Sequence, residues 1–164
     1  MALFGGARDI SLFRNISREV VNDVIEQQVG YYKLSLSNST TNIYGESQEK
    51  FYQQPVLLNC LTIRGDQQNQ DSDFGPDKFR VLEYAFLRDD LVDKNVVPER
   101  GDIILYLDSY YEVDNIVENQ LILGKNPDYA YNAPYLNDFG SSFSIVCQTH
   151  LTRAEKLNIE QQRL

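Results

Sequence analysis

The sequence predicts a mainly β fold, a small antiparallel β-barrel or sandwich with an N-terminal amphipathic helix and a short C-terminal helical tail. Eleven Tyr and eight Phe stand against no Trp and a single Met, and flat aromatic side chains suit the half-buried pleated surface of a sheet. Apolar and polar residues alternate in short runs between residues 31 and 151, the period-two pattern of strands. Short turn-forming links join most of these runs, which favours antiparallel neighbours in a meander. A chain of 164 residues with 42% hydrophobic content is long enough for one real core. Residues 1–30 are read as an N-terminal arm and helix, 31–152 as the β domain and 153–164 as a tail of the same single unit.

Ser17 stands before a stretch in which Val20 and Val24 are four apart, as are Val21, Ile25 and Val29, with Gly30 following. This predicts a helix with an N-cap and a terminal glycine. Arg18, Glu19, Asp23 and Glu26 occupy its other face, so one stripe is expected against an apolar surface, its own barrel or a neighbouring subunit. Tyr32, Leu34 and Leu36 then alternate with polar residues as a first strand, and the apolar run Val56 to Ile63 reads as a strand buried on both faces or crossing a closed sheet.

Residues 65–77 hold Asp66, Asp71, Asp73 and Asp77 and no base, and read as a long loop, a length that is usually functional or disordered. A strand from Lys78 to Arg88 follows, with a turn or helical segment at Asp89-Asp90. The tight turn Pro98-Glu99-Arg100-Gly101-Asp102 feeds a hairpin of Ile103 to Leu107 and Tyr110 to Val117, broken at Asp108-Ser109. Glu118-Asn119 suggests another reversal before Gln120 to Gly124, and Pro127 and Pro134 frame a loop rich in Tyr and Asn. The last strand, about Ser142 to Leu151, puts Phe143, Ile145, Cys147 and Leu151 on its core face. Thr152-Arg153-Ala154-Glu155 is a capping-box pattern that opens a terminal helix carrying Leu157 and Leu164.

Composition argues against several functions. A formal charge of −9 repels a phosphate backbone, since nucleic-acid binding runs on clustered cations. No apolar run approaches the roughly 18–20 residues that span a bilayer, and the start lacks the regions of a signal peptide; the expectation is a soluble protein that stays where it is made, with no membrane partner. Cys60 and Cys147 lie in apolar runs and read as reduced, buried thiols, with a bridge as the lesser alternative.

Chemistry has little to work with. His150 is the only histidine, and Cys147, three residues away on a strand, points to the opposite face, so neither a Cys/His nucleophile nor a shared zinc site is expected. Asp71, Asp73, Gly75 and Asp77 echo a calcium loop, but an EF-hand starting at Asp71 needs glycine where Pro76 stands and Glu where Leu82 stands. Gly101-Asp102 is read as a turn glycine with an acceptor side chain rather than a phosphate loop. No metal, no cofactor and no catalytic residue is assigned, and the chain is expected not to be an enzyme.

One resemblance spans residues 74–124. Phe74-Gly75, then Val81, Tyr84 and Phe86, then Val97-Pro98-Glu99-Arg100-Gly101-Asp102-Ile103-Ile104, then Tyr111-Glu112-Val113 with Ile116-Val117-Glu118, and finally Leu123-Gly124 follow an order that resembles the neck, or head-closure, proteins of large contractile-tailed bacteriophages. The resemblance implies a virion structural protein of the head-to-tail connector, made in the host cytoplasm. It would form a homo-oligomeric ring, hexameric rather than dodecameric, with the portal or an adaptor above and the tail terminator or tail tube below. Genome DNA would pass through without specific binding. The sequence stops soon after its expected last strand, so contacts made by the extended C-terminal region of longer family members do not carry over.

On this reading Asp66, Asp71, Asp73 and Phe74 face the lumen or a partner. Val20, Val24, Leu157 and Leu164 are the candidate subunit or partner contacts, because a ring needs heterologous interfaces that flanking arms can supply. The alternatives are a tail-terminator or baseplate component, a small hydrolase or isomerase using Tyr and carboxylates in a barrel mouth, and a ligand-binding module built on Tyr129, Tyr131 and Tyr135.

Overall fold

The computed structural model describes residues 7–35, 50–72, 75–120, 143–152, 157 and 159. Helix α1 (Ala7–Glu19) runs into a π-helical turn, Val20–Ile25. The strands are β1 (Gln28–Tyr32), β2 (Val56–Asn59), β3 (Leu61–Ser72), β4 (Gly75–Leu87), β5 (Ile103–Tyr106), β6 (Ser109–Gln120) and β7 (Ser144–Thr152), with helix α2 (Arg88–Asp93) after β4. They form a seven-stranded sheet in the order β2-β1-β5-β6-β7-β4-β3, every neighbour antiparallel. The mainly β expectation holds.

The two strands at the ends of that order, β2 and β3, are consecutive in the chain and separated by Cys60 alone. The Cys60 amide donates to the Gln27 carbonyl at 2.9 Å. The apolar run read as one strand is therefore split at Cys60 between β1 and β4 as partners.

Strand parity places the core. Tyr31, Leu58, Cys60, Leu82, Tyr84, Phe86, Ile104, Tyr111, Val113, Ile145 and Cys147 point into one main cluster, and Tyr84 meets both Tyr106 and Tyr111 edge-on. Their immediate neighbours Tyr32, Ile103 and Tyr110 point the other way, into a second cluster with Leu157. Strands β1, β5 and β6 are thus covered on both faces.

Three readings are corrected. The helix begins at Ala7 rather than at Ser17, and it stops at Ile25. Glu26 takes a left-handed conformation with φ 47°, and Val29 and Gly30 belong to β1, where they pair with Leu58 and Leu57. The acidic segment 65–77 is mostly not a loop. Backbone pairing continues from Gln67↔Arg80 to Ser72↔Gly75, with a bulge between Arg64 and Gln67 that contains Gly65 and Asp66. Strand β6 runs on through Glu118-Asn119 to Gln120 instead of reversing there. Beyond Tyr32, Leu34 forms a bridge to Tyr52, and the rest of the expected first strand, from Leu36, lies outside the described residues.

Candidate partner-binding surfaces

Helix α1 is attached by its polar side. Arg14, Arg18 and Asn22 recur at four-residue steps, which aligns them on one face. Arg14 Nε donates to Asp89 Oδ2 at 3.0 Å, and its Nη2 forms a second bond to Asp89 Oδ1. Arg18 pairs with Asp90 at 2.8 Å and with Asp93, and Asn22 Nδ2 donates to Asp90 Oδ2 at 3.1 Å. The hydrogen bond to Asp93 raises the Arg18 pKa against the opposing effect of desolvation. Asn59 Nδ2 then donates to Asn22 Oδ1 at 2.8 Å, and Gln27 bonds Thr62, so the helix end is fixed to β2 and β3.

The opposite face of the helix is apolar and open. Of the valines within the helix only Val21 is buried, while Val29 is buried as part of β1. Val20 and Val24, named as partner contacts, are exposed, together with Leu12, Phe13 and Ile16. Leu157, named with them, is buried against Tyr32, Ile103 and Tyr110 of its own chain, and so has little surface left for a neighbour. This corrects its assignment; Leu164 lies outside the described residues.

The acidic hairpin carries its named positions on backbone of known register. Asp66 sits in the β3 bulge, and Asp71 pairs with Pro76 beside Gln70↔Asp77. Asp73 and Phe74, which link the two strands, lie outside the described residues, as do Tyr129, Tyr131 and Tyr135.

Asp102 is a buried knot that the turn reading undersold. Its Oδ2 accepts from the Tyr31 hydroxyl at 2.5 Å, the Glu99 amide at 2.8 Å and Lys33 Nζ at 3.1 Å, and its Oδ1 accepts from the Leu34 amide at 2.8 Å. Gly101, at φ +88°, makes the turn possible, and its amide donates to Val113 while the Val113 amide donates to Asp102. Burial, followed by the charge of Asp102, raises the pKa of Tyr31. Four donors on one fully buried carboxylate describe a structural clasp between the end of β1 and the hairpin of β5 and β6.

His150 and Cys147 diverge as parity requires. Cys147 is fully buried and unbridged, as is Cys60, and burial pushes both thiols up to about 12. His150 faces outward, with Nδ1 2.8 Å from both carboxylate oxygens of Asp114. Alternation after buried Val113 puts Asp114 on the outer face with His150, and the bulge between Val113 and Asn115 keeps Asn115 on that same side, opposite Gln148. Beside it a polar ladder crosses the strands: Arg100 donates to Asn115, Asn115 to Gln148 and Gln148 to Glu83, at 3.0–3.1 Å. These side chains are joined in cross-strand pairs rather than aimed at a common point.

Among the described residues no group of three or more His, Cys, Asp or Glu is placed to hold a metal ion, and no helix is long and apolar enough to cross a membrane. Compared with protein-family models the chain matches none, and no curated protein matches it.

Proposed function

We propose that the chain is a structural protein of the head-to-tail connector of a tailed bacteriophage, a ring subunit between portal and tail. The observation that carries this reading is the ordered motif set from Phe74-Gly75 to Leu123-Gly124, whose central element, Gly101-Asp102, is the turn built around the Asp102 clasp. The helix supports it from a separate direction, because a subunit that works by assembly needs apolar surface beyond its own core.

We further propose that the sheet works as a closed barrel, with residues 56–72 as one bent strand that pairs with β1 before Cys60 and with β4 after it. On that geometry the β3–β4 hairpin projects as an acidic finger toward the lumen or the tail side. Carboxylates at Asp66, Asp71 and Asp73 would keep the passing genome from adhering, since every phosphate–cation contact adds salt-dependent affinity.

The test is reconstitution. The full-length protein is mixed with the portal protein encoded alongside it, and the products are weighed by mass photometry and imaged by cryo-electron microscopy. A ring of this chain below the portal, with the hairpin on its inner or tail-facing surface, is the expected result. Failure to join the portal or any other virion assembly would sink the reading; a complex with the tail tube alone would replace it with a tail-terminator role.

A further inference from the structure

We propose that the apolar stripe of α1 and the outer face of β2–β3 are the two halves of a contact between copies of this chain, the helix of one copy lying on the strands of the next. The stripe consists of Leu12, Phe13, Ile16, Val20 and Val24, whose exposure runs from 41% at Val20 to 73% at Val24. It cannot turn inward, because the other face is held by Arg14, Arg18 and Asn22 on α2. A surface helix ordinarily buries its apolar side and shows water its charges; here the arrangement is reversed, and the apolar side is left for another surface.

The strands supply a matching surface. Leu57, Leu61 and Ile63 point outward from β2 and β3, 38–52% exposed, while Leu58 and Cys60 between them point into the core. The bond from Asn59 to Asn22 fixes helix and strands relative to one another, so both halves are rigid before a partner arrives, which lowers the entropic cost of association.

Charge selects a second copy as the occupant. Glu19, Asp23 and Glu26 border the helix stripe and form no ion pair among the described residues, and Arg64, exposed beside Ile63, likewise forms none. Laying one copy's helix on the next copy's strands brings this acidic rim to Arg64, whereas helix on helix would bring acid to acid.

Area agrees. The five helix residues expose roughly 500 Å² and the three strand residues roughly 250 Å², taking about 150–250 Å² for each whole residue. At the usual apolar share of somewhat over half, this corresponds to a total interface of about 1,300 Å², within the standard range for specific complexes. Because each copy carries both halves, the contact either closes reciprocally in a two-fold dimer or runs head to tail into a ring or a chain of subunits.

The test uses the full-length protein in analytical ultracentrifugation over a wide concentration range. Concentration-dependent association is expected, weakened at least tenfold by Ile16→Glu with Val24→Glu, two changes at exposed sites whose folding is checked by circular dichroism. Asp23→Lys and Arg64→Glu should each weaken it several-fold, and an equimolar mixture of the two variants should recover it. A monomer at every concentration overturns the proposal, as does association that survives Ile16→Glu with Val24→Glu, or single charge reversals that the mixture fails to rescue. A monomer that binds the portal protein through the same residues assigns the face to a different partner and equally overturns it. The contact stands apart from the connector reading: self-association without portal binding would leave the contact and sink the connector.

Discussion

Replacing Asp102 with Ala removes the acceptor for four donors at once. The Tyr31 hydroxyl, the Leu34 amide and the Glu99 amide would be left in or beside the core with no partner at the vacated position. Breaking a hydrogen bond to a charged acceptor costs about 1.5–3 kcal/mol when the donor stays buried, so these three together cost about 4.5–9 kcal/mol. Lys33 adds little, since it is partly exposed and retains the Glu99 carboxylate and the Val97 carbonyl. A domain of this size has only about 5–15 kcal/mol in total, so Asp102→Ala should unfold at far lower urea or fail to fold. Asp102→Asn keeps the shape. Turning its amide oxygen toward Tyr31 and Glu99 leaves the amide nitrogen facing the Leu34 N–H, and the loss should be about 2–3 kcal/mol. Urea unfolding followed by far-ultraviolet circular dichroism measures both. A loss below about 1 kcal/mol for Ala, or a larger loss for Asn than for Ala, would refute the clasp.

Two further outcomes follow from the fold. The thiols of Cys60 and Cys147 are raised to about 12 by burial, so the fold favours their neutral form: stability should be full below about pH 9, where the unfolded thiols also stay protonated, and should fall as pH rises from there toward 12. At pH 10 the expected loss is about 1.5–2 kcal/mol per thiol, and urea midpoints that stay flat from pH 8 to 10 would contradict it. The β5–β6 hairpin turns on Leu107 and Asp108, both left-handed at φ 46° and 59°, where Asn-Gly is the favoured pair; Leu107→Asn with Asp108→Gly should raise stability by about 1–2 kcal/mol, and an unchanged or lower thermal midpoint would show that the turn is not strained.

The strands were legible where one face is apolar. Alternation along 144–152 marks Ile145 and Cys147 as core, and the structure adds Thr149, whose hydroxyl is satisfied by the Leu82 carbonyl. The split at Cys60 was not legible, because an unbroken apolar run carries no sign that its two ends serve different neighbours. The acidic hairpin was hidden for the opposite reason: Asp and Asn disfavour strands locally, and the segment 67–72 is held as a strand by backbone pairing with 75–80 that composition does not express. Spacing of four from Val21 through Ile25 to Val29 favoured a longer helix, but pairing to β2 and β5 claims Val29 and Gly30. Asp102 was readable as an acceptor in a turn, while its donors at Tyr31 and Leu34 lie about seventy residues away, and the bulge that turns Asn115 outward to Gln148 leaves no trace in the pattern.

The helix posed a subtler problem, since its amphipathicity was plain and its orientation was not. Periodicity marks two faces and assigns neither to the core. The missing signal was the match of Arg14, Arg18 and Asn22, at four-residue steps, with Asp89, Asp90 and Asp93, which a charge-pairing search between segments could have found. Magnitudes make the outcome informative. Partly exposed ion pairs contribute about 0–1 kcal/mol each, whereas removing roughly 500 Å² of apolar stripe from water is worth on the order of 10 kcal/mol. In the isolated chain α1 is therefore held by the weaker of its two faces. A sequence that commits three polar residues to holding a helix apolar side outward gains the stronger stabilisation only when another surface covers that side, and the acids beside the stripe, which form no ion pair among the described residues, and Arg64 beside Ile63 are the complement that a neighbouring copy would bring together.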